Sequence, residues 1–287
     1  MGREENIAVF QDTEKIAKSN ATLKEAIKNS TEKQKLILQG DTLTVPEKPL
    51  WSGDENTGET KAKVIVSKKR SYEAASAYKG LKTCVHNFAS ASNPGGGVVK
   101  GSSAQEEALC RCSTLYFSLN TQEMWSGFYN PHRAAANCLH NDDIIYTPDV
   151  YVFKTDTSNP TLMPEKDWYK VNVITCAAPN LRLSPSNSMN PGDGIRKVNV
   201  KDSELRKIHE RRLSRILDVA MAEGNEAVIL GAFGCGAFKN NAEAVAMASY
   251  DVVKKYQPFF KVIEFAVYCT PRDEANYNTF NRVMKGL

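Results

Sequence analysis

The sequence has no hydrophobic run approaching the ~18 apolar residues of a membrane helix, no CxxC pair, only four histidines and no glycine stretch with dinucleotide-fingerprint spacing. Each absence removes a class of protein. No membrane partner is expected, and the acidic, polar start MGREENIAVFQD lacks the basic-then-apolar layout of a signal peptide, so the chain is expected in the cytoplasm. The seven cysteines (Cys84, Cys110, Cys112, Cys138, Cys176, Cys235 and Cys269) are odd in number and mostly lie in apolar segments, which reads as reduced buried thiols. His132, Cys138 and His140 match no zinc-ligand spacing, so no metal is expected. Lys plus Arg exceed Asp plus Glu by only 37 to 33, and the excess is scattered. That argues against duplex nucleic acid as a partner but suits a small anionic ligand. There is no internal repeat and no low-complexity segment.

What remains is an ordinary globular composition, 41% hydrophobic and 24% charged over 287 residues, enough for one large domain. Residues 4–38 carry apolar positions at helical spacing with a polar break near Ser19-Asn20, which predicts two helices rather than core strands. We therefore expect a helical extension over 1–60, ending in the turn-rich stretch 46–62, and a core over 61–287. In the core, strands and helices alternate. Strands are expected at 63–67, 83–90, 169–178, 226–233 and 262–269, with a strand pair or hairpin interrupted by Pro148 at 144–154. Helices are expected at 70–80, 104–118, 202–224, 241–256 and near the C-terminus. Such alternation predicts an α/β fold, a central sheet covered by helices on both faces. The polar stretch PNLRLSPSNSMNPGDG (179–194) cannot pack a core and is expected as an exposed loop, disordered or functional.

Two glycine-rich loops follow predicted strands and run into helices: ASNPGGGVVKGSSA and GAFGCGAFKN. In open α/β sheets, ligands occupy the crevice beyond the carboxyl ends of the strands, and glycine-loop N–H groups at helix starts attract phosphate. Two such loops could grip a diphosphate, although each alone could be a tight turn. Gly231, Gly234 and Gly236 have the wrong spacing for a nicotinamide cofactor site.

The first loop is followed at once by Gln105, Glu106 and Glu107. Ser103-x-x-Glu106 has the form of a capping box, a purely structural reading of Glu106. It accounts less well for Glu107, because a carboxylate beside a phosphate-gripping loop feels repulsion that helix capping does not require.

The run NFASASNPGGG leading into QEEALCRCSTLY resembles the signature of poly(ADP-ribose) glycohydrolases, in particular their smaller microbial branch, and the resemblance extends to GAFGCGAFKN and the C-terminal NYNTF. It implies a three-layer α/β/α macrodomain, with a mixed central sheet and an N-terminal helical extension, that binds ADP-ribose and needs no cofactor. Carried onto this chain, it makes Glu107 catalytic and gives Glu106 the ribose beside the scissile bond. Ligand contacts fall on Asn93, Gly95, Gly96, Gly97, Gln105 and the loop Gly234-Cys235-Gly236-Ala237-Phe238. The adenine pocket falls on Asn276 and Phe280. An O-glycosidic ribose bond breaks through an oxocarbenium-like state in which an acid protonates the leaving oxygen. A second carboxylate and a bound diphosphate would raise that acid's pKa.

The expected activity is release of ADP-ribose from poly(ADP-ribose) on modified proteins by a monomeric enzyme. It is exo-acting if the helices of 4–38 close over the adenosine end of the groove, although their apolar face could equally pack on the core away from the ligand. Two other readings stay open: a macrodomain that binds ADP-ribose without cutting it, and a hydrolase of mono-ADP-ribose on protein or nucleic acid. Phe238 is expected against the distal ribose, the alternative being a side chain tucked under its loop.

Overall fold

The computed structural model describes residues 2–49, 51–53, 60–188 and 191–287. The expected turn-rich stretch therefore lies partly outside the described residues, at 50 and 54–59, as do 189 and 190 of the expected polar loop. The N-terminal pair is α1 (Arg3–Ser19) and α2 (Ala21–Glu32). They part at Asn20, whose side chain accepts the Leu23 N–H at 3.1 Å and so caps α2. Asn6, Phe10, Thr13 and Ala17 form the buried stripe of α1, at the spacing of one helix face.

The segment expected as helices alone then ends in a strand. β1 (Lys35–Ile37) pairs antiparallel with the outer side of β4 (Ile144–Val152), Leu36 opposite Ile145. Three residues are too few to show a two-residue period, and the pairing is set by a strand more than a hundred positions away. β4 likewise departs from expectation. It is one strand rather than a hairpin, with a bulge between Thr147 and Val150 that holds Pro148 where no ladder hydrogen bond is needed. Asp149 takes φ of +56° there, and its N–H donates to Asn172 Oδ1.

Five further strands complete the sheet: β2 (Lys63–Ser67), β3 (Thr83–Phe88), β5 (Tyr169–Cys176), β6 (Ala227–Leu230) and β7 (Val262–Ala266). Among the described residues the order is β1-β4-β5-β3-β6-β7-β2, and all neighbours are parallel except β1–β4 and β4–β5. The sheet is thus mixed and covered on both faces, and its central strands alternate between two cores. Cys84, Ile174 and Val228 face one core, with Ile216 and Leu217 of α8 (Asp202–Ala222), Val245 of α9 (Ala242–Tyr256) and Phe280 of α10 (Ala275–Val283). Val85, Val173 and Ile229 face the other, with Phe10 of α1, Tyr72 of α3 (Ser71–Ala75), Leu109 of α4 (Gln105–Cys112) and Leu115 of α5 (Leu115–Leu119). Both-face burial is why these strands read as continuous apolar runs. The single helix expected over 104–118 is two, because Ser113 is extended and bridges to Val152. Beyond α5 the chain coils through α6 (Gln122–Met124), a π turn and α7 (Asn130–Ala135) before entering β4. Among the described residues, no helix is long and apolar enough to cross a membrane.

α1 packs behind α4 and the loop preceding it. Thr13 Oγ1 donates to Arg111 O at 2.6 Å, Asn6 Nδ2 to Gly101 O at 3.1 Å, and the buried Lys154 ammonium bonds Asp12 Oδ2 at 2.7 Å and Val9 O at 3.1 Å. Gly101, at φ +78°, lies so close to Arg3 that a Cβ there would overlap the Arg3 carbonyl oxygen. Gly101→Ala should therefore destabilise the fold by about 1–3 kcal/mol, through backbone strain and loss of the α1 docking contact. Urea unfolding checks this, and an unchanged midpoint would mean that the contact carries no weight.

Candidate active site

The carboxyl ends of the parallel strands open on one cleft of about 620 Å³. Phe88 ends β3 and Ser90 follows it, Ala178 and Arg182 follow β5, Ala232 and the second glycine loop follow β6, Val267 and Tyr268 follow β7, and Arg70 follows β2. The start of α4 forms the remaining wall, with Gln105, Glu106 and Glu107 lining the space.

Both glutamates are buried, Glu106 at 3% and Glu107 at 7% exposure. Glu106 is no capping residue: Ala104 occupies the N-cap position without a side-chain cap bond, and the Glu106 carboxyl turns toward β3. There it accepts the Ser90 N–H at 2.7 Å and Asn87 Nδ2 at 3.1 Å. Burial pushes this carboxyl well above the usual range, and the neighbouring Glu107 charge adds to the shift. Glu107 Oε1 accepts the Gly97 N–H at 2.9 Å, whereas Oε2 is buried with no hydrogen-bond partner. Burial raises the Glu107 carboxyl too, against the pull of that N–H. A buried carboxyl oxygen without a partner is costly unless protonated or matched by a ligand. The arrangement can hold a proton and present it to a bound oxygen.

Gln105 ties the helix start in place rather than reaching out. Its Oε1 accepts the Phe88 N–H at 2.9 Å, and its Nε2 donates to Ser71 Oγ at 3.0 Å and His86 O at 2.8 Å. Gly96 and Gly97 line the cleft. At Gly96 (φ +58°) a Cβ would lie 2.5 Å from Glu107 Oε1, so only glycine lets this turn meet the acid pair. Gly95 and Asn93 do not line the cleft: Gly95 backs onto Tyr116 and Cys110, and Asn93 Oδ1 accepts from Arg133.

In the second loop Gly234, Gly236, Ala237 and Phe238 line the cleft, and the backbone is pinned by Asn240 Nδ2, which donates to Pro179 O, Gly234 O and Phe238 O. Cys235 turns away into the core, its thiol pushed up to about 12 by burial. Phe238 is half-buried, with the Arg182 guanidinium 5.4 Å from its ring. Asn276 reaches the cleft, but Phe280 does not. It is fully buried against Phe265 at 5.6 Å: the two side chains share one side of α10, and the rise of about 6 Å between them takes Phe280 from the cleft rim into the core.

The polar stretch expected as an exposed loop, disordered or functional, is tied to its surroundings where described. Asn180 N–H donates to Cys138 O, Leu181 N–H to Phe238 O and Ser186 N–H to Gly194 O. The buried Asp193 accepts from Asn180 Nδ2 at 2.7 Å and Ser92 Oγ at 3.1 Å, and His140 Nε2 lies 3.4 Å away. Burial pushes this carboxyl up, but these partners outweigh it and leave it below the usual range. His132 bonds Phe128 O and Asn141 Oδ1 through its two ring nitrogens and His140 bonds Ala178 O through Nδ1, and no group of three or more metal-ligating side chains occurs among the described residues. Sequence reasoning missed Asn87, Ser90 and Arg182. A polar pair, His86-Asn87, inside the otherwise apolar strand TCVHNF was the available signal.

Of the two placements left open for the N-terminal helices, packing on the core away from the cleft is the one found among the described residues. No described residue before Arg70 lines the cleft, because the apolar stripe of α1 is consumed behind α4 and α2 packs on β4.

A three-layer sandwich whose cleft brings two glycine turns onto a buried carboxyl pair defines a hydrolytic macrodomain. The sequence matches the family model of the microbial-type PARG (poly(ADP-ribose) glycohydrolase) catalytic domain over residues 4–155, more than half of its length, and the chain belongs to that family of glycosidases. Among solved structures, the poly(ADP-ribose) glycohydrolase of Thermomonospora curvata superposes with a TM-score of 0.79 at 24% identity, covering 98% of this chain and 100% of that one. The same enzyme bound to the inhibitor ADP-HPD gives 0.75 at 26% identity, covering 98% and 99%. The Deinococcus radiodurans enzyme in complex with ADP-ribose gives 0.70 at 26% identity, covering 91% and 97%. No curated protein matches the sequence.

The two glycine loops should respond differently to the same small change. Gly96→Ala should lower turnover about 100-fold or more by displacing the Glu107 carboxyl. A Cβ at Gly236 meets nothing within 4 Å, so Gly236→Ala should keep the melting temperature and lose only ligand affinity. Calorimetric titration with ADP-ribose beside thermal melts separates the two, and equal behaviour of both variants would contradict the geometry.

Proposed function

We propose that the cleft hydrolyses the ribose–ribose O-glycosidic bonds of poly(ADP-ribose) carried by modified proteins, releasing ADP-ribose, with Glu107 as general acid and then general base. The partnerless, buried Oε2 of Glu107 carries this reading. Family membership and the ligands named for the similar solved structures support the substrate class. ADP-ribose lies with its diphosphate between the N–H groups of Gly96-Gly97 and the loop 234–238. Glu106, held by Ser90 and Asn87, takes a hydroxyl of the distal ribose. Glu107 Oε2 carries a proton to the leaving oxygen as the glycosidic bond breaks. Once ionised it draws a proton from the attacking water, which restores the acid. Phe238 packs against the distal ribose and keeps bulk water from it.

A cleft of about 620 Å³ suits one ADP-ribose unit rather than a run of polymer, which favours removal of terminal units by a monomeric enzyme. Residues 1–60 serve as an extension bracing the core of 61–287. Incubation with labelled poly(ADP-ribose) should give free ADP-ribose as the sole early product. Early mid-length oligomers would mean internal cutting, and tight ADP-ribose binding without any product would make the protein a reader.

Glu107→Gln should lower turnover by about 10²–10⁴-fold while leaving ADP-ribose affinity within a few-fold. It should also raise the melting temperature at neutral pH. A carboxyl whose folded pKa is raised stabilises fully below its unfolded value and loses that contribution as pH rises through the folded value. The gain from the amide should therefore vanish in melts recorded below about pH 4. A variant less stable than wild type at neutral pH would contradict the burial argument.

A further inference from the structure

The strand order decides what lies at each end of the cleft. Across the sheet, the loops that build it leave β5, β3, β6, β7 and β2 in that order. On the ADP-ribose reading, on which this inference rests, the distal ribose meets the glutamates beside β3, the diphosphate crosses to the loop after β6, and the adenosine points toward β7 and β2. The scissile bond therefore faces the other way, toward the loop after β5. Whatever departs in the reaction departs past residues 179–194.

That loop arches over the glutamate end. Leu181 N–H donates to Phe238 O at 2.9 Å, Ser188 O accepts from Lys100 Nζ, and Asp193 accepts from Ser92 Oγ at 3.1 Å. It brings Arg182 and Asn187 to the cleft. Arg70 and Arg182 are the two cations that line the cleft among the described residues, and Arg70 is stacked 4.0 Å from the centre of the Tyr268 ring at the far end. Arg182 is held by neutral acceptors. Its Nε donates to Asn180 Oδ1 at 3.0 Å and its Nη2 to Pro185 O at 2.5 Å, with the Phe238 ring at 5.4 Å. Nη1 has no acceptor, and no carboxylate lies at ion-pair distance from the guanidinium among the described residues. The acid whose charge reaches it, Asp193, is engaged with Asn180, Ser92 and His140.

A fixed guanidinium with no counter-ion at the exit of a cleft suits a phosphate. The diphosphate of the bound unit already has the N–H groups of the loops after β3 and β6. In poly(ADP-ribose) the departing part is another ADP-ribose unit, whose adenosine ribose supplies the leaving oxygen and carries a second diphosphate. In mono-ADP-ribose on a protein the departing part is an amino-acid side chain without phosphate. We infer that Arg182 is a specificity-determining residue of the leaving side: its guanidinium holds the diphosphate of the departing unit and so favours polymer over mono-ADP-ribose on protein.

Kinetics on poly(ADP-ribose), beside calorimetric titration with ADP-ribose, which has no departing unit, test this on the whole protein. Arg182→Gln should lower kcat/KM on polymer about tenfold, mostly through KM, while ADP-ribose affinity moves less than about threefold. Arg182→Lys should recover most of the loss, because the phosphate needs the charge and not the grip on Asn180 and Pro185. Equal losses for polymer and ADP-ribose would assign Arg182 to the bound unit's own diphosphate and overturn the inference. So would an unchanged KM, or an Arg182→Lys variant as impaired as Arg182→Gln, the mark of a residue that only holds its loop. Should the variants fail to fold, salt decides on wild type: a polymer KM that rises more steeply with salt than the ADP-ribose Kd supports the further phosphate contact, and parallel slopes refute it. Wild type that cuts no polymer refutes the glycohydrolase reading itself, a result reached before any variant is made.

Discussion

Two adjacent carboxyls buried at the start of one short helix are the constraint on which the rest of this structure turns. Taking a carboxylate out of water costs several kcal/mol unless it is paired or protonated, and here no cation meets Glu107 Oε2 or the Glu106 oxygens at ion-pair distance among the described residues. The compensation comes from neutral donors instead: the N–H groups of Ser90 and Gly97 and the amide of Asn87. Neutral donors hold the carboxyls in place without fixing them as anions. That leaves protonation available to the chemistry.

The geometry of the surrounding loops follows. For Gly97 to point its N–H at Glu107, the chain must turn through Gly96 with no side chain between them. Helix α4 spans only eight residues and cannot hold such a turn by itself. α1 grips it from behind through Thr13 on Arg111, and grips the end of the glycine loop through Asn6 on Gly101, while Gln105 stitches its start to β3 and α3. The N-terminal helices are thus bracing for the catalytic wall. Their apolar stripe is satisfied there, leaving none to cover the ligand.

The α/β class, both glycine loops and the carboxyl pair could be read from the sequence, because each rests on local pattern: apolar runs for doubly covered strands, glycine before a helix for a phosphate turn, and acids where capping alone did not account for Glu107. What was missed depends on contacts distant in sequence. β1 is a strand only because β4 offers an edge, and Pro148 is tolerated because a bulge frees its position. Phe280 looked like a ligand contact by its spacing after the last strand, but it lies one turn further along α10 than Asn276, where that side of the helix is already over the core. Cys235 looked like part of a phosphate grip, yet its side chain turns into the core while Gly234, Gly236, Ala237 and Phe238 line the cleft.

Burial without a cationic partner raises the carboxyls of the glutamate pair above the ordinary carboxylate range. Carboxyl-carbon NMR of the glutamate-labelled protein, with Glu107→Gln to identify the resonance, measures this directly. The signal missing from the variant should titrate above 4.5, the ordinary value for this group. A midpoint at or below that value would show an anion stabilised in the resting cleft and would contradict it.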